Sequence, residues 1–260
     1  MKSQPLHVRP IFLEGGEAGV LLLHGLTGTP QCMRFLAEKL HKAGFTVSAP
    51  VLEGHGSTIE HFETTTWHDW YQSVESAFHE LKSITKVVMV AGLSLGGLLT
   101  AHLARHHAQS VRAVAFMATP LFLDGFMARA VFPAVWKTPL KNIYKYQVKT
   151  VPSIRDPVAR RHYLTYDKIP VVNVASLFEF QGVVRDELKH IHQPAIVIHS
   201  LHDETVPYAN LDFLSAVLPS KDVEKVTLKR SNHIITVDYD KEIVAKALVK
   251  FFRKYRKPKK

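Results

Sequence analysis

A chain of 260 residues, 46% hydrophobic and 22% charged, has the length and composition of one domain with a sizeable core, and no apolar stretch in it is long enough to span a bilayer. The single cysteine, Cys32, excludes an internal disulfide framework, and neither paired C-x-x-C nor H-E-x-x-H spacing is present to hold a metal. The net charge of +10 does not point to nucleic acid, because Lys250–Lys260 holds seven of the 33 basic residues and none of the 23 acidic ones.

In chain order, the start Met1-Lys2-Ser3-Gln4-Pro5 carries no apolar leader, so an intracellular, cytoplasmic protein is expected. Gly19–Leu23 reads as a buried strand entering the loop His24-Gly25-Leu26-Thr27-Gly28-Thr29-Pro30. Thr29 and Pro30 have the character of a helix N-cap and first helical position, with Cys32 as a small packed side chain behind them. Val87–Ala91 is an apolar, largely β-branched run, and Gly92-Leu93-Ser94-Leu95-Gly96-Gly97 follows it directly. Leu95–Ala108 then gathers Leu98, Leu99, Ala101, Leu103 and Ala104 largely on one helical face. A serine flanked by glycines at a strand-to-helix turn is the setting of a nucleophile elbow, in which the missing Cβ atoms let strand and helix pack closely while one hydroxyl is lifted out.

From about Pro120 to His192 the pattern changes, and prolines at 133, 139, 152, 157 and 170 break it into short pieces. This stretch reads as a cap inserted over the sheet's carboxyl edge. Its Phe122, Phe126, Met127, Phe132 and Trp136 either line an acyl-chain pocket or form the cap's own core, and the sequence leaves both open. Ala195–Ser200 reads as a late buried strand ending in the polar turn Leu201–Pro207. Val223–Arg230 alternates like another strand and runs into Ser231-Asn232-His233, after which Lys241–Tyr255 has the spacing of an amphipathic closing helix.

A serine hydroxyl needs a base, and the base needs a carboxylate to hold its tautomer. Sixteen histidines make any one of them uninformative alone, so chain order and strand-end position decide. After an elbow the expected order is serine, acid, histidine. That selects Asp203 as the acid and His233 as the base, with Ser94 as the nucleophile. Glu204, His199 and His202 flank the acid without fitting both criteria, and Asp238 and Asp240 are expected in the first turn of the last helix, where carboxylates suit the dipole. Backbone amides of Leu95, next to the nucleophile, and of Leu26, in the early loop, are the expected oxyanion donors.

His24–Gly28 resembles the HGFTG-type oxyanion loop of the α/β-hydrolase superfamily, in particular of its small bacterial carboxylesterases and monoacylglycerol lipases. Gly54-His55-Gly56 is similar to that group's loop after the next strand, and Gly92–Gly96 to its elbow. Asp203 with Val206-Pro207, and Asn232-His233 with Thr236-Val237-Asp238-Tyr239, are similar to its acid and base loops. The resemblance runs essentially end to end. It implies one α/β-hydrolase domain over 1–260, a mostly parallel doubly wound sheet with a small cap at about 120–192, and cofactor-free cleavage of a small, lipid-like ester. Leu26 stands where relatives often have Phe, a change to the pocket wall that leaves the backbone donor intact. The same triad serves thioesterases, acyltransferases and perhydrolases, and a non-enzymatic lipid-binding or interaction protein is the reading from another class. The basic tail reads as a solvated helix end or, more sharply, as a weak attraction to anionic lipid surfaces.

Overall fold

The computed structural model describes residues 8–123, 145–148 and 152–258. Its seven-stranded sheet runs in the order β1 (Ile11–Leu13), β3 (Thr46–Ala49), β2 (Ala18–Leu23), β4 (Val87–Leu93), β5 (Val111–Met117), β8 (Ala195–Ser200), β9 (Val223–Leu228). Only β1 pairs antiparallel; every other neighbour is parallel. The expected mostly parallel, doubly wound sheet is therefore present.

β2, β4 and β8 are buried along their whole length, as parallel strands covered on both faces must be, and their apolar runs follow from that. Side chains alternate between two cores with the period of a strand. Leu21, Leu23, Val88 and Val90 face α3 (Trp67–Ile84) and α4 (Leu95–His106). Val20, Leu22, Met89 and Ala91 face α1 (Arg34–Lys42) and α8 (Lys241–Arg253). The first helix opens on the 3-10 turn Pro30–Met33 with Thr29 at its N-cap and Cys32 buried, as expected. α2 (Ile59–Glu63) precedes α3 and is capped by the Thr58 side chain.

The chain passes from β2 to β3 on one side and then to β4 on the other, so the direction of winding reverses between β2 and β4. In an open parallel sheet the crevice beyond such a pair is where a ligand sits. Leu23 lies opposite Gly92 in the register, which brings the loops after β2 and β4 level at that crevice.

Between β5 and β8 come β6 (Tyr146–Val148), α5 (Pro157–His162), β7 (Lys168–Pro170) and α6 (Val171–Glu187). β6 and β7 form a separate antiparallel pair. α6 buries Leu177, Phe180 and Val184 in the same core as α3 and α4, so it also flanks the sheet. Asn173 Nδ2 donates to the Phe62 and Thr65 carbonyls, and the Trp67 amide donates to Ser176 Oγ. Phe122 is partly buried with its ring 5.7 Å from that of Phe213, whereas Phe126, Met127, Phe132 and Trp136 lie outside the described residues. α7 (Ala209–Val217) follows β8.

Candidate active site

Ser94 sits between β4 and α4 at φ 54°, ψ −119°, a conformation that side chains with a Cβ rarely adopt. The glycines around it are required by close approach. A Cβ on Gly92 would lie 1.9 Å from the Gly96 carbonyl oxygen, and one on Gly96 would lie 2.2 Å from the Leu23 oxygen. The Ser94 amide donates to Met117 O at 2.8 Å, which ties the elbow to β5. Leu95 opens α4, so its amide is among those a helix leaves without an internal partner, at the positive end of the helix dipole.

The β2 loop reaches the same point. A Cβ on Gly25 would come within 3.2 Å of Ser94 Cβ. His24, fully buried, accepts the Leu52 amide at Nε2 (3.3 Å), which leaves the proton on Nδ1 to donate to Gly25 O (3.0 Å). Gly28 N donates to the same carbonyl at 3.0 Å, and Thr27 between them takes φ 61°. Burial pushes the His24 imidazole down to about 4, so it holds the loop in its neutral form. His55 of the Gly-His-Gly loop packs edge-on against His24 with ring centroids 5.1 Å apart, and burial, then the neighbouring His24, drives it well below the usual histidine range. Thr165 Oγ1 donates to Thr27 Oγ1 (3.0 Å) and Tyr166 OH to Gly54 O (2.8 Å), so the insertion is tied to both loops.

Asp203 follows β8 and His233 follows β9, and His233 Nδ1 lies 2.8 Å from Asp203 Oδ2. The amides of Thr205 and Val206 donate to Asp203 Oδ1 at 2.9 and 2.8 Å. His199, which the sequence offered only as a neighbour of the acid, is buried in β8 with Nε2 3.2 Å from Asp203 Oδ2 and 3.1 Å from Val206 O. Both partners are acceptors, so Nε2 carries a proton and shares it between them. Burial alone would raise the Asp203 carboxyl; the charge of His233 and the hydrogen bonds from His199, His233 and Val206 outweigh it and hold the group well below the ordinary carboxylate range.

One expectation is corrected here. Asp238 and Asp240 do not act in the first turn of α8. Asp238 precedes that helix and accepts the amides of Asn232, Arg155, Asp156 and Tyr239, all at 2.7–2.8 Å. Asp240 is the residue at the helix N-cap, but its carboxylate turns back to accept Arg230 N, Ser231 N and Ser231 Oγ. Both are buried, and amide donors give a buried carboxylate what water would otherwise supply. Glu204, exposed beside the acid, links the acid and base loops, its amide donating to Asn232 Oδ1 (3.0 Å) and its carboxylate accepting Asn232 Nδ2 (2.8 Å). His202 is exposed. The sequence did carry a signal for the braces, two aspartates within seven residues of His233, but not their targets.

Ser94, His233, Gly25 and Leu26 line one cavity of 310 Å³. Its other walls include Ile169, Val174, Leu177 and Phe178 from β7 and α6, and Thr205 and Val206 from the acid loop. Leu95 itself is buried. No cluster of metal-ligating side chains adjoins this cavity among the described residues.

The chain is similar to known proteins over nearly its whole length. The chain is 35% identical over 249 residues to the thermostable monoacylglycerol lipase of Bacillus sp. (strain H-257), covering 95% of this chain and 94% of that one. It is 26% identical to a carboxylesterase of Bacillus subtilis (strain 168), covering 95% and 96%. A solved structure from work on LipS and LipT, two metagenome-derived lipolytic enzymes, superposes with a TM-score of 0.89 at 29% identity over 96% of this chain and 99% of its own. The monoacylglycerol lipase of Paleococcus ferrophilus shares the fold, with a TM-score of 0.80 at 21% identity over 96% and 99%. Residues 16–240 match the family model Hydrolase_4, described as serine aminopeptidase, S33. With that match spanning most of its length, the chain belongs to the Hydrolase_4 family of the α/β-hydrolase superfamily.

Proposed function

We propose that the protein is a serine hydrolase of carboxylic esters, with monoacylglycerols or other short to medium acyl esters as substrates. The observation that carries the reading is Ser94, held at φ 54° in the same cavity as a histidine whose Nδ1 is 2.8 Å from a buried aspartate. With Nδ1–H committed to Asp203, His233 presents Nε2 as base. Ser94 Oγ attacks the acyl carbon as its proton passes to Nε2, and the amides of Leu26 and Leu95 take the charge on the carbonyl oxygen. The alcohol leaves with that proton. Water, deprotonated by the same nitrogen, then attacks the acyl-enzyme and restores Ser94.

A cavity of 310 Å³ is at the small end for ligand sites and suits one acyl chain rather than a triacylglycerol. We read the chain as a single domain over 1–260 whose insertion at about 120–192 roofs this cavity, with β7 and the start of α6 as the acyl wall. A small neutral ester is the partner. The tail at Lys250–Lys260 adds weak attraction to anionic lipid, and the lone, buried Cys32 thiol, pushed up to about 12 by burial, suits the cytoplasm.

A fluorophosphonate probe tests the mechanism. One equivalent should label the wild type and none should label Ser94→Ala; no labelling of folded wild-type protein would leave a binding protein. A panel of esters from acetyl to dodecanoyl tests the pocket. Each buried methylene should contribute up to about 0.8 kcal/mol until the cavity is full, whereas a flat profile excludes a defined acyl site.

A further inference from the structure

Far from the cavity, at the other end of α4, two histidines and a glutamate converge. His102 Nδ1 lies 2.8 Å from Glu187 Oε2, and His106 Nε2 lies 3.1 Å from Glu187 Oε1, so each carboxylate oxygen faces one imidazole. The three ligand atoms fall within 4.8 Å of one another. Three features set this cluster apart from a chance surface pairing.

The spacing places both rings on one face of α4 one turn apart, the geometry in which a helix offers two imidazoles to a single centre. The electrostatics favour a cation. His106 is the last residue of α4 and Glu187 the last of α6, so two helix carboxyl ends meet here, and Glu187 adds a negative charge where the dipole is already negative. The surroundings fix the ligands. The His102 ring is held by Tyr71, Trp67 and Phe180, with centroids 4.5, 5.6 and 5.4 Å away. Its side chain is 9% exposed and that of Glu187 is 15% exposed, while His106 is 51% exposed and provides the entry side. Rigid rings with one open approach reduce what a metal must reorganise on binding.

The geometry points to a site for a divalent transition-metal ion of the zinc or nickel type, bound by His102 Nδ1, His106 Nε2 and the Glu187 carboxylate. Without metal, each imidazole holds the carboxylate by donating one N–H. On binding, each ring moves that proton to its other nitrogen and turns a lone pair to the ion. Two imidazoles and a carboxylate suit such ions better than calcium or magnesium, which take mostly oxygen ligands. Three protein ligands leave a fourth position for water. The site begins about 12 Å along the α4 axis from Ser94 and clamps α4 to α6, so its readout is stability and not ester chemistry. A nearby second group, Glu75, His79 and His107, is the weaker rival. The Glu75 side chain is 40% exposed, and Tyr71 OH already donates to the oxygen that faces His107.

Calorimetric titration of the full-length protein with Zn(II), repeated with Ni(II), decides the matter. One equivalent should bind, raise the melting temperature, and be reversed by EDTA. His106→Gln, at an exposed position that leaves the packing intact, should weaken binding at least roughly tenfold and remove the thermal shift. Glu187→Gln should do the same, and His79→Gln should change neither. Ester turnover should be equal with and without metal in all of these proteins. Identical isotherms for wild type and His106→Gln overturn the assignment, as does loss of the site in His79→Gln.

Discussion

The serine and its two partners are positioned by different means. Ser94 is fixed by backbone: two buried strands, a turn that only glycine-flanked chain can make, and an amide hydrogen bond to the next strand. Asp203 and His233 are fixed by side chains. Asp238 and Asp240 gather the amides that shape the base loop, Asn232 and Glu204 link it to the acid loop, and His199 supports Asp203 from within β8. A backbone device leaves a compact mark in sequence, whereas a side-chain brace is defined by partners far along the chain. The first half of the site should fail through steric change and the second through loss of charge.

The largest effect tests both halves at once. Ser94→Ala and His233→Ala should each lower ester turnover by roughly 10³-fold or more with an unchanged far-ultraviolet spectrum, because such residues act as a unit. A Ser94→Ala protein that keeps a tenth of the wild-type rate would move the nucleophile elsewhere. Asp203→Asn should be severe but less complete.

On the backbone side, Gly96→Ala forces a Cβ to within 2.2 Å of the Leu23 carbonyl oxygen, and backbone atoms have little room to retreat. It should destabilise the protein by at least about 3 kcal/mol in denaturant melts and abolish turnover. Ser94→Gly is the contrasting change: it relieves the φ 54° strain and should stabilise by about 1 kcal/mol while removing activity. A Gly96→Ala enzyme with normal stability would show that close packing is not what fixes the elbow.

On the side-chain side, Asp238→Ala leaves four amides without their acceptor. Orphaning one buried and three part-buried donors should cost about 3 kcal/mol, and turnover should fall at least roughly tenfold as the base loop loosens. Equal kinetics in a destabilised variant would separate the brace from the base.

Acid sharpens the contrast further. His24 titrates at about 4 in the fold against 6.5 as an ordinary histidine, so below pH 6.5 the unfolded chain takes up a proton that the native loop refuses. Stability should fall as pH drops from 6.5 towards 4, by about 3 kcal/mol from this residue, and should not change further on its account below that. Asp203 behaves differently: its carboxyl is depressed, so its contribution persists through this window and is lost only in stronger acid. Melts at closely spaced pH values in wild type and His24→Gln resolve the first effect. The smallest effect comes from deleting Lys257–Lys260, which touches neither half. Soluble-ester kinetics should stay the same, while binding to anionic vesicles weakens by at most about 1 kcal/mol per lysine and loses salt sensitivity.

What the sequence made legible follows the same division. β8 was readable to the residue and β4 to within two because buried parallel strands are continuous apolar runs, whereas β9, a partly buried edge strand, was readable to within two from its alternation. Chain order and strand ends were enough to bring Asp203 to His233. His199 stayed hidden because a histidine inside an apolar run reads as core, and only the fold of the following turn brings the acid back to it. Asp238 and Asp240 were misassigned because proximity to a helix start in sequence is also what a dipole-stabilising carboxylate shows; two of the partners of Asp238, Arg155 and Asp156, lie over eighty residues away, while Asp240 turns back to Arg230 and Ser231. Glu187 with His102 is equally distant and equally silent.

The parallel sheet has one consequence for how activity is acquired. Ser94, Asp203 and His233 follow β4, β8 and β9, with β5 between the first two, so the three meet only after β8 has joined β5 through a long crossover and β9 has paired with β8. Non-local pairings of this kind close late because each must first meet the entropy of a large loop. During refolding, recovered turnover therefore reports completion of the sheet's far edge, and a chain that has assembled only β2, β4 and β5 presents a formed elbow with no base to use it.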